Sequence, residues 1–570
     1  MMAKFPLLAI TALSVLSGSR ANACPPLGPT LPSAKSPSNS TIVKEAILTI
    51  KKGLENFTST LNYTAISIGV KSIHEEEPLL DWHYTPPKAD NRSTAKVNID
   101  TVYRGGSITK LFTVIAALQN GSIKGSDPVT KYIPQLKTEA VQNEGTLHFV
   151  PWDNITVEDL ASHVSGLGGD IATDLAVFPG PWKAMGLPPV ANETKPQCSG
   201  LLGTKACTKN DLLSGLNKKP LVFRPHTTPV YSNIGISLLS LIVEAATNQT
   251  YEKILTDTIL KPLGLTNTSI ATPAFDSWGF IPEKELTWAG DLGVYASAGG
   301  IYTNTRDMLA FGTAILSSSI PVDTNSWLKP RAFTSSRGYS IGGPWEILST
   351  ATLLPSGVPI HVYTKSGDLG LYTNLFLLVP DYDLVISVLT AGAEAAAPFL
   401  FPSQVISPVI TTLLPALEQA NKDAAAPAFA GVYNDAETNS TLTLSIDDGP
   451  GLSLTNWSIR GFDVLANIQN YGSGVSPTAK PANITGRVYP TNIRMGKEWS
   501  WRAVYKNVDA PSIDDKLFYP EGSCQTWGLI DRATYNYLAF DDFVVKLGKD
   551  GSAESISPRP FNVTLLKVEQ

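Results

Sequence analysis

Cysteine is scarce in this chain of 570 residues, which holds four. No C-x-x-C pair and no histidine cluster accompanies them, which argues against a zinc site. Charge is sparse as well: Asp, Glu, Lys and Arg make up 16% of the residues, and the formal net charge is −6. The basic footprint of a nucleic-acid binder is therefore missing. Past the N-terminus no apolar run approaches the ~20 residues that a bilayer crossing needs, so no membrane span is expected. The chain is 43% hydrophobic, which describes a globular protein, and it is long enough for more than one domain.

What is present starts with an address. Lys4 precedes an apolar run from Phe5 to Leu16, then Ala21-Asn22-Ala23. A basic start, an apolar middle and an A-x-A site predict a signal peptide over 1–23 and a secreted protein. N-x-S/T triplets at Asn39, Asn56, Asn62, Asn91, Asn154, Asn192, Asn248, Asn267, Asn439, Asn456, Asn483 and Asn562 agree with a secreted glycoprotein. An even number of cysteines suits an oxidising compartment. Four cysteines allow three pairings; the expected one closes a small loop between Cys198 and Cys207 and leaves Cys24 to Cys524.

The chemistry gathers around Gly105-Gly106-Ser107-Ile108-Thr109-Lys110 and the apolar run after it. Two glycines permit a tight turn. Leu111, Ile115 and Leu118 then fall on one helical stripe. Ser107 stands at the mouth of a buried helix, and Lys110 lies one turn along the same face. A hydroxyl beside an amine at a helix N-terminus is an arrangement for an activated serine. S-x-x-K also occurs at Ser93–Lys96 and Ser326–Lys329, but the first has no apolar helix after it and the second runs into Pro330.

In chain order, residues 42–57 read as an amphipathic helix, 64–70 as a strand and 79–84 as its hairpin partner. Thr156 and Asp159 form a capping box, and His163 closes that short helix. It reads as a structural histidine satisfying backbone carbonyls, in preference to a base for Ser107. Tyr231-Ser232-Asn233 is delivered by a turn-rich approach to the start of a long apolar helix. Other Y-x-N triplets, at Tyr302, Tyr372 and Tyr505, have β surroundings and read as core or ladder positions. A strand over 361–367 ends in Lys365-Ser366-Gly367, expected as a tip at a sheet edge facing a cleft. A hairpin (371–379 and 384–390) and an amphipathic helix (403–420) follow. Ala-rich 424–430 reads as a linker, and 431–570 as a separate β domain of short strands.

Taken in order, Ser107-x-x-Lys110, Tyr231-x-Asn233 and Lys365-Ser366-Gly367 resemble the serine β-lactamase and penicillin-binding protein superfamily. The Tyr-x-Asn form resembles its class C branch. His163-Val-Ser-Gly-Leu167 and Ala298-Gly-Gly300 add to the likeness, which spans roughly residues 42–420. The C-terminal region resembles the β domain appended in fungal secreted β-lactamase-like proteins. The resemblance implies an α/β (α+β) β-lactamase/transpeptidase-like fold: an antiparallel sheet flanked by helices plus an α-rich subdomain, with a C-terminal all-β sandwich or barrel. The domains would be 24–423 and 431–570.

The resemblance also implies an acyl-enzyme on Ser107, with Lys110 and Tyr231 taking its proton and Asn233 orienting Lys110 and the substrate. The backbone N–H groups of Ser107 and Asp368 would form the oxyanion hole, and Lys365 would attract a substrate carboxylate. Asp368 would disfavour anionic substrates such as penicillins relative to neutral esters or lactones. The expected activity is thus a secreted serine hydrolase acting on an ester, lactone or amide, with esterase, peptidase or lactonase action ahead of true β-lactamase action. The alternatives are an acyltransferase of secondary metabolism on the same fold and a non-catalytic binding glycoprotein. No cofactor or metal is expected. The partner would be a small-molecule or peptide substrate, with no nucleic acid, and the chain is expected to be a monomer.

Overall fold

A stripe of Val43, Ala46, Ile50 and Leu54 is buried along helix α1 (Thr41–Thr58), at the spacing the sequence shows. The chain then enters a sheet. This is a computed structural model, and it describes residues 25–140, 144–201, 203–397, 400–471, 480–509 and 526–568. The expected signal peptide, Cys24 and Cys524 lie outside the described residues.

The chain divides into two compact units. The first comprises Val43–Leu353 with Pro359–Leu413. The second takes in the described residues of Leu414–Gln570, those of Met1–Ile42 and the short stretch Leu354–Val358. The stretch ahead of α1 thus goes with the C-terminal unit: Leu31 lies in its core, and Ala34 N donates to Asn421 Oδ1 at 2.9 Å.

The first unit is built on an eight-stranded antiparallel sheet. Its strands are β1 (Ala65–Ser72), β2 (Leu80–Tyr84), β3 (Ala332–Phe333), β4 (Tyr339–Ile341), β5 (Glu346–Thr350), β6 (Ile360–Leu369), β7 (Tyr372–Val379) and β8 (Leu384–Ala391), in the spatial order β2-β1-β8-β7-β6-β5-β4-β3. Lys365-Ser366-Gly367 therefore lies inside an interior strand and not at a tip on the sheet edge. The correction has a simple cause: three short strands over 332–350, weakly patterned in sequence, add to the far side of β6. Their pairing with β6 runs only as far as Glu346↔Thr364, so the stretch from Lys365 onward extends past it.

Four helices complete what positions the site: α2 (Thr109–Leu118), α3 (Val157–Ala161), α4 (Asn233–Thr247) and α5 (Thr305–Leu316). Helix α5 approaches the sheet closely. A Cβ on Gly69 of β1 would stand 2.5 Å from Thr305 Cγ2, and one on Gly312 of α5 would overlap Val385 of β8. Phe112 of α2 stacks on Phe311 of α5 with centroids 4.1 Å apart. All of α2 except its last residue is buried, which fixes the serine end of that helix in the core.

In the second unit, strands β9 (Gly431–Asp435), β10 (Ser440–Ser445), β11 (Leu452–Ile459), β12 (Ile484–Met495), β13 (Glu498–Asn507), β14 (Asp542–Leu547), β15 (Ala553–Pro558) and β16 (Leu565–Lys567) run in the order β10-β9-β16-β15-β14-β13-β12-β11. Pairing of β10 with β11 closes the ring, so the sandwich-or-barrel alternative resolves as an eight-stranded antiparallel barrel. Burial alternates along β10, with Ser440, Leu442 and Leu444 inward. Trp457, Trp501 and Phe543 fill the core.

Helix α6 (Leu400–Phe429) corrects two expectations. Residues 424–429, expected as linker, are helical, because alanine has the highest intrinsic helix propensity. The same 30 residues make one segment long and apolar enough to cross a membrane by length and composition, where no such segment was expected; 56% of its most apolar window is buried inside the protein.

Candidate active site

The serine turn is shaped by what it lies against. Gly106 has φ 56°, and a Cβ there would stand 2.6 Å from Asp368 N. A Cβ on Gly367 would overlap the carbonyl oxygen of Gly105. The Gly105-Gly106 backbone is therefore packed directly on the Gly367-Asp368 backbone of β6, and only glycines permit the approach. Gly106–Ile108 forms one 3₁₀ turn that runs into α2. The small-residue segment 296–301 cradles that helix start. Gly105 N donates to Ile301 O at 2.7 Å, Ile301 N to Thr109 Oγ1 at 3.0 Å, and Thr113 Oγ1 to Ser297 O at 2.6 Å.

Lys110, fully buried, donates from Nζ to Ser107 Oγ at 2.8 Å and to Ala298 O at 2.7 Å. Ser232 caps α4, its Oγ accepting from Gly235 N at 2.9 Å, and this sets Tyr231 at the loop-to-helix junction. Lys110 Nζ lies 4.8 Å and Lys365 Nζ 5.1 Å from the Tyr231 ring centroid. Lys110, Lys365 and Ser107 are the groups that favour the phenolate. Although 44% of Tyr231 is exposed, both ammonium groups lie against its ring and burial still acts on its hydroxyl.

Electrostatics follow from this placement. Burial of the Tyr231 hydroxyl opposes its ionisation, but Lys110 and Lys365 outweigh that and hold it below the usual tyrosine range. Burial lowers Lys110, and the nearby charge of Lys365 adds to the effect against the pull of Tyr231. Lys365 is fully buried too, yet it is held above its ordinary value, because the Glu346 carboxylate and Tyr231 overcome its burial. Burial pushes the Asp368 carboxyl up. Its Oδ1 is buried and has no hydrogen-bond partner among the described residues.

Ser107, Lys110, Tyr231, Lys365, Ser366, Gly367 and Asp368 thus converge. Asn233 differs from expectation: its Nδ2 donates to Asp170 Oδ2 at 3.0 Å, and no bond to Lys110 is seen among the described residues. His163 also differs. It is not hydrogen-bonded to Ser107, and its Nδ1 accepts from Ser232 N at 3.2 Å instead of its ring serving backbone carbonyls. Ser93 and Ser326 lie away from this cluster, in a turn and in the short helix Thr324–Trp327.

The roles of two buried residues escaped the sequence reading. Glu346 accepts from Lys365 Nζ at 2.6 Å, from Ser366 Oγ at 2.9 Å and from Ser366 N at 2.9 Å. Nothing in its sequence neighbourhood marks it, and only the β5–β6 register brings it there. Asn374, buried in strand β7 as the core-or-ladder reading of its triplet expects, donates to Arg104 O at 2.8 Å and Gly367 O at 3.1 Å, and accepts from Thr390 N at 3.0 Å. It ties the approach to the serine turn to two strands of the sheet.

Cys198 and Cys207 are disulfide-bonded, as expected. The asparagines of the expected sequons are exposed, except Asn267, which is half-buried. Asn120-Gly121-Ser122, also half-buried at its asparagine, is a further triplet that the sequence reading passed over. No group of three or more potential metal-ligating side chains occurs among the described residues.

A family model described as Beta-lactamase matches residues 58–403. The chain belongs to the beta-lactamase family. A second model, described as Beta-lactamase-like-like, C-terminal domain, matches residues 421–569 of this beta-lactamase family member. A Beta-lactamase-like protein of Arthroderma benhamiae is 29% identical to it over 569 residues, covering 92% of this chain and 93% of that protein. Probable hydrolase clz13 of Cochliobolus lunatus is 27% identical, covering 98% and 94% respectively. Probable hydrolase M10 of a Phoma species is 28% identical, covering 97% and 93%.

Proposed function

We propose that this protein is a secreted serine hydrolase that works through an acyl-enzyme on Ser107. The observation that carries the reading is the 2.8 Å contact between Lys110 Nζ and Ser107 Oγ, with the Tyr231 phenol beside both lysines. Ser107 Oγ attacks the substrate carbonyl carbon while its proton passes to the Lys110–Tyr231 pair, which titrates as a coupled set. The carbonyl electrons move to oxygen, where the N–H groups of Ser107 and Asp368 receive the developing charge; such donors contribute about 3–4 kcal/mol each. Collapse expels the alcohol or amine, which takes the proton back. Water then attacks the Ser107 ester, the pair accepts its proton and returns it to the departing Ser107 Oγ, and the acid and free Ser107 result.

The substrate is proposed to be a neutral ester, lactone or amide of a small molecule or peptide. Asp368, half-buried beside the oxyanion position with one unpartnered oxygen, would repel an anionic group whenever it is ionised. Two of the relatives carry the name of probable hydrolases, which agrees with hydrolysis ahead of acyl transfer. Secretion and glycosylation rest on residues 1–23 and on the sequons of both units. No cofactor, nucleic acid or membrane span enters this reading, and the protein is proposed to act as a monomer.

The test is covalent labelling of the purified protein with a fluorophosphonate and, separately, with a penicillin, followed by peptide mass mapping. An adduct on Ser107 that disappears in Ser107→Ala supports the acyl-enzyme. Well-folded protein with no adduct, or with one that persists in Ser107→Ala, would sink it. Fluorophosphonate labelling without a penicillin adduct is the result expected from Asp368.

A further inference from the structure

One neighbour, His163, meets Tyr231 and both residues beside it. Val230 N donates to the His163 carbonyl oxygen at 2.8 Å, and Ser232 N donates to His163 Nδ1 at 3.2 Å. Between those two bonds the Tyr231 ring stacks on the imidazole, with centroids 4.7 Å apart and planes at 27°. The backbone is thus held on both sides of the tyrosine by the residue on which its ring rests.

His163 does this from an uncomfortable position. Its φ is 61°, in the left-handed region that glycine or asparagine occupies at lower cost. The residue is 3% exposed. Because Nδ1 accepts, the assigned ring proton sits on Nε2, and Nε2 has no partner among the described residues. Burial, then the charges of Lys110 and Lys365, keep the imidazole neutral. Backbone strain and an unsatisfied buried donor both oppose stability, so stability alone does not account for a histidine here.

We infer that His163 is the positioning residue that holds the Tyr231 phenol between Lys110 and Lys365. The inference rests on the reading of Tyr231 as part of the proton-accepting pair. The groups facing the phenol are Ser107 and Lys110 from the start of α2 and Lys365 from β6, with Glu346 of β5 behind Lys365. A neutral ring is required at position 163. An imidazolium would add a third cation to the cluster and would leave Ser232 N without its acceptor. Released from the stack, the half-open tyrosine turns its hydroxyl away from the two ammonium groups and toward solvent.

His163→Asn separates the parts. Asparagine tolerates the left-handed backbone, and its Oδ1 can take the place of Nδ1, so the stack alone is lost. The full-length protein is titrated by phenolate absorbance, with Tyr231→Phe subtracted in each background. The wild-type midpoint should lie below about 10. In His163→Asn it should move up toward that value, with the acid limb of fluorophosphonate labelling moving alongside. Labelling at neutral pH should slow by at least about tenfold. His163→Phe, which restores a ring, should recover part of the loss. An unchanged midpoint in His163→Asn overturns the inference. Should that variant not fold, His163→Gly, free of backbone strain, takes its place with the same outcomes. Wild-type labelling of Tyr231→Phe would defeat the role of Tyr231 in proton transfer, a separate failure, because the midpoint still decides what His163 does.

Discussion

Two lysines share one tyrosine ring and titrate in opposite directions. The difference is Glu346. Lys365 has a buried carboxylate at 2.6 Å, whereas Lys110 has only a hydroxyl, a carbonyl and the phenol. The folded-state pKa of Lys365 is raised, so its stabilising contribution is complete below the unfolded value of about 10.4 and fades as pH rises through the folded value. That of Lys110 is lowered, so its buried charge opposes folding at low pH, and stability returns as pH climbs from the folded value toward about 10.4. Glu346→Gln leaves Lys365 buried without its counter-charge. Breaking such a pair costs about 3–5 kcal/mol, and urea denaturation at pH 7 should show a loss of that order. Labelling of Ser107 should also require a higher pH, because a Lys365 that sheds its proton no longer supports the Tyr231 anion. His163 supplies a second test at this scale. Its folded pKa lies below the unfolded value of about 6.5, so stability should fall as pH drops below that value, by up to about 1.4 kcal/mol per pH unit. Thermal unfolding between pH 7.5 and 5 should fall less in His163→Asn than in wild type. His361, also lowered by burial, contributes equally to both proteins and cancels. Ser107, Lys110, Tyr231 and Lys365 were legible in the sequence because each belongs to a local pattern. Glu346 and Asn374 were not, since their roles arise from strand register, which pairs residues far apart in the chain.

At the scale of elements, the decisive contact is between the serine turn and β6. Gly106 and Gly367 have no room for a side chain because each faces backbone rather than a side chain that could move aside, and Gly105 faces the buried Ile301 side chain. Gly367→Ala must therefore separate turn from strand. The expected result is a loss of about 1–3 kcal/mol, as for overpacking elsewhere, together with loss of fluorophosphonate labelling, since the two N–H donors no longer converge. Wild-type labelling in a folded Gly367→Ala would show that the contact is not needed. The motif was readable as residues, but its place in the sheet was not: strands β3 to β5 are two to five residues long, too short to leave a firm alternation. The end of helix α6 was misread for the opposite reason, because an Ala-rich stretch invites a linker where alanine in fact extends a helix. Lys422, 7% exposed, donates to Asp448 O at 2.8 Å. Trypsin should therefore leave the Lys422 bond of the native protein uncut; prompt cleavage there would show that 424–430 behaves as a linker after all.

For the molecule as a whole, the apolar cluster behind the serine and the one inside the barrel are distinct among the described residues, and this sets what a mutation can reach. The core of the first unit includes Ile108, Leu111 and Phe112 behind the serine, and that of the second is the barrel interior with Leu31. The two share no residue. Leu31 belongs to the stretch ahead of α1, which the resemblance placed in the domain over 24–423. Burial places it instead with Trp457 and Trp501, at 3% exposure. Truncating a buried leucine to alanine costs about 2–5 kcal/mol. Leu31→Ala should therefore lower the unfolding transition of the C-terminal unit while the labelling rate of Ser107 stays at the wild-type value. Differential scanning calorimetry, with labelling followed across the same temperature range, separates the outcomes. A single transition that carries labelling down with it would mean that the barrel and the catalytic unit unfold as one. A shifted barrel transition with labelling intact would assign the N-terminal stretch to the barrel, both in where it packs and in what it stabilises.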